Sequence, residues 1–311
     1  MNNDLNKLTP LAHFGFLAVT GKDAAKFLQG YTTCDVDLAQ GDTSLLGAIC
    51  NIQGRMLSNF RMIPIEDGLL LRMSRELVPA AIEFLGKYIV FSKASLEDLS
   101  DKIWCFGLTH NGDNVPKQTD TFTHNELTSD NPIEIAGSTL EGWLIKVDMK
   151  ADDDDAHFEV WSKKPLQADQ AVENWMEQEV RSGIAWVETE TTEAYIPQMF
   201  NLQNLKGISF EKGCYLGQEI VARMQFRGEL KKRLHLGSIQ SSSSMAVSLG
   251  DNIENETGKN VGQIIAVGKD SFLSVVQTKS QKKSQDKSTE SPSYQLSNGD
   301  IVELQDLYLS E

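Results

Sequence analysis

The stretch EKGCYLGQEIVAR, residues 211–223, places a lysine, a cysteine, an amide, a carboxylate and an arginine within reach of one another. Cys214 stands between Gly213 and Gly217, residues that let the backbone adopt left-handed or closely approached geometry. A thiol on such a turn is less enclosed than one inside a strand. Lys212 is two residues away, and the spacing of QEIVARM predicts a helix that begins near Gly217. A nearby cation and a helix N-terminus both favour thiolate, the form that attacks electrophiles and binds soft metals. The same residues also describe a tight turn with Cys214 as a small filler, and residue types alone leave both readings open. A thiol nucleophile would need a base. Of the histidines at 13, 110, 124, 157 and 235, only His235 is near in sequence.

Gln218 opens the predicted helix, and Glu219 and Arg223 are spaced to pair along it. Arg223, Arg227, Lys231, Lys232 and Arg233 follow with Glu229 as the one intervening acid. This local positive ridge could hold an anionic ligand such as a polyglutamate tail, touch RNA, or simply be solvated. The chain around it is acidic, with a net charge of −15 and a pI near 4.8. Such a field opposes general binding to phosphate backbones or anionic membranes.

The 311 residues can bury a substantial core and favour two or three domains. No apolar run approaches the ~18 residues that span a bilayer, and MNNDLNKLTP lacks a signal-peptide pattern. A cytoplasmic protein with no membrane partner is the expectation. Cys34, Cys50, Cys105 and Cys214 form no CxxC pair and fit neither a zinc site nor a disulfide scaffold. The first three lie in apolar or turn surroundings and are expected to be free thiols acting as small core residues. The aspartates at 152–155 diverge along the chain and lack calcium-loop spacing, so a solvated loop is expected.

The elements that would position these residues alternate irregularly. A strand is expected at 16–20, then a helix in GKDAAKFLQG burying Ala24, Phe27 and Leu28 before Gly30. Strands are expected at 44–49, 56–63 and 69–74, the first two joined by the hairpin CNIQGRM. Ser74 is placed to cap a helix carrying Leu77, Ala81, Phe84, Leu85 and Tyr88. Further strands are expected at 103–109 and 142–148, with polar loops between. From 166 to 182 the period is helical, with Ala171, Val172, Trp175, Met176 and Val180 on one face and Gly183 as its stop. After 234, short alternating strands predict a small closed β-domain, interrupted near 279–293 by a segment too polar to fold alone. Without regular βαβ alternation the fold class is α+β.

The run IPQMFNLQNLKGISFEKGCYLGQEIVARMQFRGELKKRLHLG, 196–237, resembles the signature region of the YgfZ proteins, folate-binding relatives of the glycine-cleavage aminomethyltransferase. Lys212, Gly213, Cys214, Tyr215, Gly217, Gln218, Glu219 and Arg223 carry its core. VTGKDAAKFLQGYTTCDV (19–36) resembles the family's opening motif, and NIQGRMLSNFRM (51–62) the hairpin after it. The resemblance implies two interleaved α+β domains over 1–233 around a tetrahydrofolate cavity, then a β-barrel over 234–311. It implies a tetrahydrofolate-binding accessory protein that supports iron–sulfur cluster assembly or repair. Its partners would be cluster proteins or assembly factors, and its effect on tRNA modification would be indirect. The alternative is a folate-dependent aminomethyl transferase. Residue by residue, the resemblance carries Cys214 and Lys212 to a reactive site, and Gln218, Glu219 and Arg223 to the ligand. The family's pterin-side tryptophan falls on Trp175. A second family tryptophan falls on Phe14, which keeps an aromatic surface and loses an N–H donor. Aminomethyltransferases have a pterin-holding glutamate two residues before the glycine that ends the late helix. Here Arg181 stands there, and a guanidinium accepts no hydrogen bond, so Arg181 would meet a folate carbonyl or carboxylate instead.

Overall fold

The computed structural model describes residues 7–41, 43–110, 124–127, 134–135, 138–139, 141–147, 156–228, 230–239, 247–277 and 293–307. The aspartate run at 152–155 and nearly all of the polar segment at 279–293 lie outside them.

Two five-stranded antiparallel sheets form the larger part. The strands in chain order are β1 (Lys7–Pro10), β2 (Phe14–Thr20), β3 (Leu45–Cys50), β4 (Met56–Ile65), β5 (Gly68–Ser74), β6 (Ser95–Asp98), β7 (Trp104–His110), β8 (His124–Leu127), β9 (Glu134–Ile135), β10 (Ser138–Thr139), β11 (Gly142–Val147) and β12 (Ala156–Ser162). One sheet has the order β3-β4-β5-β2-β6, the other β1-β7-β12-β11-β8, and β9 and β10 pair separately. β1 thus leaves the first motif to join the second sheet, so the two lobes share chain.

Alternation along the strands assigns the faces. In the first sheet Leu17, Val19, Phe60, Met62, Leu69, Leu71 and Met73 pack outward under helices α1 (Ala24–Gln29) and α2 (Val78–Gly86). Phe14, Phe16, Ala18, Ile63 and Leu70 point the other way, into one core with Cys105, Trp143, Ile145 and Trp161 of the second sheet. Helix α3 (Val172–Arg181) contributes Trp175 to that core. Gly107 makes this possible: a Cβ there would lie 2.2 Å from the Trp175 ring.

The chain closes with a six-stranded barrel of β13 (Lys232–Ile239), β14 (Asn252–Asn255), β15 (Asn260–Val267), β16 (Ser271–Gln277), β17 (Tyr294–Leu296) and β18 (Ile301–Asp306). It is fastened to α3 by Glu177, whose carboxylate accepts from the Asp270 and Ser271 amides at 3.0 and 3.2 Å and from the Ser271 hydroxyl at 2.9 Å.

Three expectations change. The stretch expected to hold only polar loops carries the short strands β8, β9 and β10, with β8 paired to β11 at the edge of the second sheet, because backbone pairing needs no apolar pattern. Residues 166–171 are not helical. Leu166 and Ala168 pack on the outer face of the second sheet, and the Gln170 amide bonds the Leu8 carbonyl, so tertiary contacts override the helical period. Ser74 precedes a short 3-10 turn at Arg75–Leu77 and does not cap it. Its hydroxyl donates to Glu188 at 2.6 Å instead, and the α-helix starts at Val78 with proline in its first turn. Cys34, Cys50 and Cys105 are buried as expected, and Cys214 is exposed.

Candidate functional site

Helix α4 (Gln218–Arg227) begins where the spacing placed it, with Gly217 as its N-cap at φ 84°. A side chain at 217 would be strained by that backbone and would also meet the Asn51 carbonyl oxygen at 2.4 Å. Gly54 approaches from the facing hairpin, so the two motifs are locked together through bare backbone. The residues before Gly217 run alongside 30–34. The Ser209 amide bonds the Thr33 carbonyl at 2.8 Å, and the Leu216 amide bonds the Gly30 carbonyl at 3.0 Å.

Lys212 is buried in this seam, and its Nζ donates to the carbonyls of Thr32 at 2.9 Å and Cys34 at 2.7 Å. Burial lowers its pKa to about 8, against the raising influence of Cys34, Asp35 and Asp37. The ammonium is therefore occupied with the opposite loop. Lys212 sets the shape of the turn whose apex carries Cys214, while the thiol itself faces solvent. Glu219 and Arg223 pair as expected at 2.6 Å, both exposed, and Gln218 is half-buried beside them. The positive ridge is partly neutralised, since Arg233 meets Asp306 at 3.4 Å, while Lys231 and Lys232 are exposed. His235 belongs to the barrel, with Nδ1 2.9 Å from the Arg233 carbonyl oxygen.

A second constellation lies between the sheets. Arg61 and Arg72 are direct cross-strand partners on β4 and β5, a like-charge pairing that is unfavourable unless something bridges it. Glu159 of β12 does so. It accepts from Arg61 Nε at 3.2 Å, from Arg72 Nε at 3.1 Å and from the Trp161 indole at 2.8 Å. All three charged groups are fully buried. Burial raises the Glu159 pKa, but Arg72 and Arg61 overcome it and the net shift is downward. The Arg72 guanidinium sits in the corner between two nearly perpendicular rings, 3.8 Å from the centres of both Phe14 and Trp186. Phe14 is thus a stacking surface for a cation, edge-on to Trp186 at 5.5 Å.

Glu179 joins this group from α3. The Trp186 indole donates to it at 3.0 Å, and burial outweighs the help of Arg72 and Trp186, lifting its pKa to about 7. The Trp175 indole N–H lies close enough to favour its charged form but outside hydrogen-bond geometry. Nearby Glu188 is likewise raised to about 7, chiefly by burial, with Ser74 opposing. His13 is lowered to about 4 by burial and by Arg72. Among the described residues, four N–H donors in this region are buried with no hydrogen-bond partner: Arg61 Nη1, Arg72 Nη1, Trp143 Nε1 and Trp175 Nε1. Buried donors are rarely left so, and a set made only of donors calls for a ligand or water that accepts.

Trp175 and Phe14 are therefore brought into one cluster. Arg181 is not with them. It lies on another face of α3, nearly half exposed, its Nε on Glu177 at 2.6 Å. Apolar periodicity did not find Glu179, Glu159, Arg61 or Arg72, because each is a charged residue on a core face. The signal present was alternation: Arg72 follows Leu70 by two, and Glu159 precedes Trp161 by two.

The whole fold is similar to the glycine cleavage system aminomethyltransferase T of Bartonella henselae, with a TM-score of 0.68 over 97% of this chain and 85% of that one, at 13% identity. No family model matches the chain. The tRNA-modifying protein YgfZ of Colwellia psychrerythraea is 31% identical over 268 residues, 83% of this chain and 80% of the relative. That of Yersinia enterocolitica is 30% identical over 267 residues, 83% of this chain and 79% of the relative. With an aminomethyltransferase-like fold and this extent of identity, the chain belongs to the YgfZ family.

Proposed function

We propose that the chain binds tetrahydrofolate or a one-carbon derivative between its two sheets and supports iron–sulfur cluster assembly or repair, with tRNA modification as the downstream effect. The observation that carries the folate reading is the group of four unpartnered donors around Trp175 and Glu179. A folate is rich in acceptors, in its pterin carbonyl, its amide and its glutamate carboxylates, and it offers pterin N–H donors to a carboxylate. The donor set fits. Trp175 supplies a flat surface, the free edges of Arg61, Arg72, Trp143 and Trp175 supply N–H groups, and Glu179 supplies the acceptor that Arg181 cannot. When bound, the folate would supply a carrier for one-carbon units.

Cys214 lies on the separate, exposed turn. In this reading it meets a cluster, a partner protein or a one-carbon unit from outside, on a turn held rigid by Lys212 and Gly217. The relatives' name, tRNA-modifying protein, supports tRNA modification as the readout. A complementation experiment tests the pair of roles. In a strain lacking its own family member, the Cys214→Ala protein should fold and bind tetrahydrofolate yet fail to restore the cluster-dependent tRNA modification. Full restoration would reduce Cys214 to a filler.

One observation favours a second reading, aminomethyl transfer. Glu179 titrates near neutrality, as a group that holds and releases a proton must. Turnover of methylene-tetrahydrofolate with an aminated carrier, lost in Glu179→Gln, would move the assignment to a transferase.

A further inference from the structure

The most exposed large apolar side chains sit together after α2. Phe91 is 99% and Val90 73% accessible, and Tyr88 beside them is also exposed. They do not hang on a loose loop. Val90 and Phe91 form a 3-10 turn with Ile89, which packs against the outer core of the first sheet. The Ser92 amide bonds the Ile89 carbonyl at 2.8 Å. Lys93 is tied twice to Asp23, through its amide to Oδ2 at 2.8 Å and through its carbonyl to the Asp23 amide at 3.3 Å. A Cβ on Gly21 would lie 2.4 Å from that same carbonyl. The turn is preorganised, so binding through it would forfeit little conformational entropy.

An aromatic ladder leads from it toward the Cys214 turn. Phe84 meets Tyr88 at 5.6 Å, Tyr88 meets Tyr31 at 4.9 Å, and Tyr31 meets Phe27 at 4.9 Å between ring centres. Tyr31 lies between Gly30, which bonds Leu216, and Thr32, which bonds Lys212. Its backbone therefore runs opposite the turn that carries Cys214. Charge surrounds the ladder. Lys22, Lys26, Lys87 and Lys93 are all exposed on the elements that bear it. Two acids stand among them, Glu83 paired with Lys87 at 3.3 Å and Asp23 on the Lys93 amide, so four cations face two anions and the rim stays positive. A local positive rim on a chain of net charge −15 selects an acidic partner.

We propose that Tyr31, Tyr88, Val90 and Phe91 form a docking face for a partner protein, which presents an acidic segment carrying apolar side chains and is thereby brought beside Cys214. The role of Cys214 rests on the function proposed above; the face itself does not. The rigid apolar centre supplies the contact that excludes water, and the lysine rim supplies orientation.

The test uses the full chain and a fluorescein-labelled peptide that alternates glutamate with leucine and phenylalanine. Anisotropy should detect binding that falls about tenfold or more in Val90→Ser/Phe91→Ser. It should fall similarly in Lys87→Glu/Lys93→Glu and in about 0.5 M salt, where exposed charges are screened. Val90→Ser/Phe91→Ser should retain tetrahydrofolate binding and fail to restore tRNA modification in the deletion strain. Peptide affinity unchanged in both variants would overturn the proposal. So would binding of oligouridylate in place of the peptide, which would make the face a nucleic-acid platform. Concentration-dependent dimerisation of the wild type, abolished by Val90→Ser/Phe91→Ser, would assign the face to a second copy of the chain. If Cys214→Ala restores modification in the same strain, the role of the thiol fails while the peptide result still decides the face.

Discussion

The inter-sheet cluster and the Cys214 turn invert the usual relation between chemistry and burial. At the turn, a thiol is displayed to solvent beside a glycine in the left-handed conformation, and the buried cation beneath it, Lys212, is spent on holding carbonyls. Between the sheets, charged side chains occupy positions that should be apolar, and they are satisfied only in part. The first region is shaped by conformation, the second by electrostatics. Mutation should therefore damage them differently: the cluster through stability, the turn through geometry and function.

The largest effect should come from Glu159→Gln. It leaves Arg61 and Arg72 facing one another in the core without their counter-ion, and chemical denaturation should report a loss of about 3–5 kcal/mol. A change within experimental error would mean that solvent reaches the pair. Gly217→Val adds a strained φ to a steric overlap with Asn51 and should cost about 1–3 kcal/mol while disturbing the Cys214 turn.

Glu179→Gln sharpens the contrast through pH. The folded-state pKa of about 7 lies above the ordinary value of 4.5, so the native state holds the proton more tightly than the unfolded chain. Stability from this group is complete below about pH 4.5 and is lost as pH rises through 7. Glu188 acts in the same direction. His13, lowered from 6.5 to about 4, opposes them, adding stability as pH rises over that window. Relative to wild type, Glu179→Gln should gain stability progressively between pH 5 and 7, by an amount on the order of 2–3 kcal/mol at the upper end. Parallel pH curves for the two proteins would place Glu179 in water. The smallest effect belongs to Arg223→Gln. It removes an exposed pair on α4 and should change stability by no more than about 0.5 kcal/mol.

The two regions also differ in what could be seen beforehand. The turn was legible because its signals are local. Gly217 takes the left-handed backbone expected of it, Gln218 opens a helical period, and Glu219 and Arg223 pair four apart, whereas Gly213 has neither a positive φ nor a close neighbour and is there without that need. The α1 helix and its buried Ala24, Phe27 and Leu28 were equally local. What sequence could not supply was partnership across the sheets. Lys212 appeared as a neighbour of Cys214, but its ammonium answers to Thr32 and Cys34, about 180 residues earlier. Arg181 appeared to replace a ligand-holding carboxylate, yet it turns to Glu177, and Glu179 is the carboxylate beside Trp175. On α3 the apolar period placed Met176 on the inner face and gave no reason to bury Glu177 or Glu179. Their burial comes from Trp186 and from the barrel amides of Asp270 and Ser271, which no local pattern contains.

The central claim is that the unpartnered donors around Trp175 receive a folate. It is tested most directly by titrating tetrahydrofolate into the protein while following tryptophan fluorescence and binding heat. Saturable quenching is predicted, with most of the signal removed by Trp175→Phe and the heat largely retained. No heat and no quenching in the wild type, or full quenching in Trp175→Phe, would contradict it.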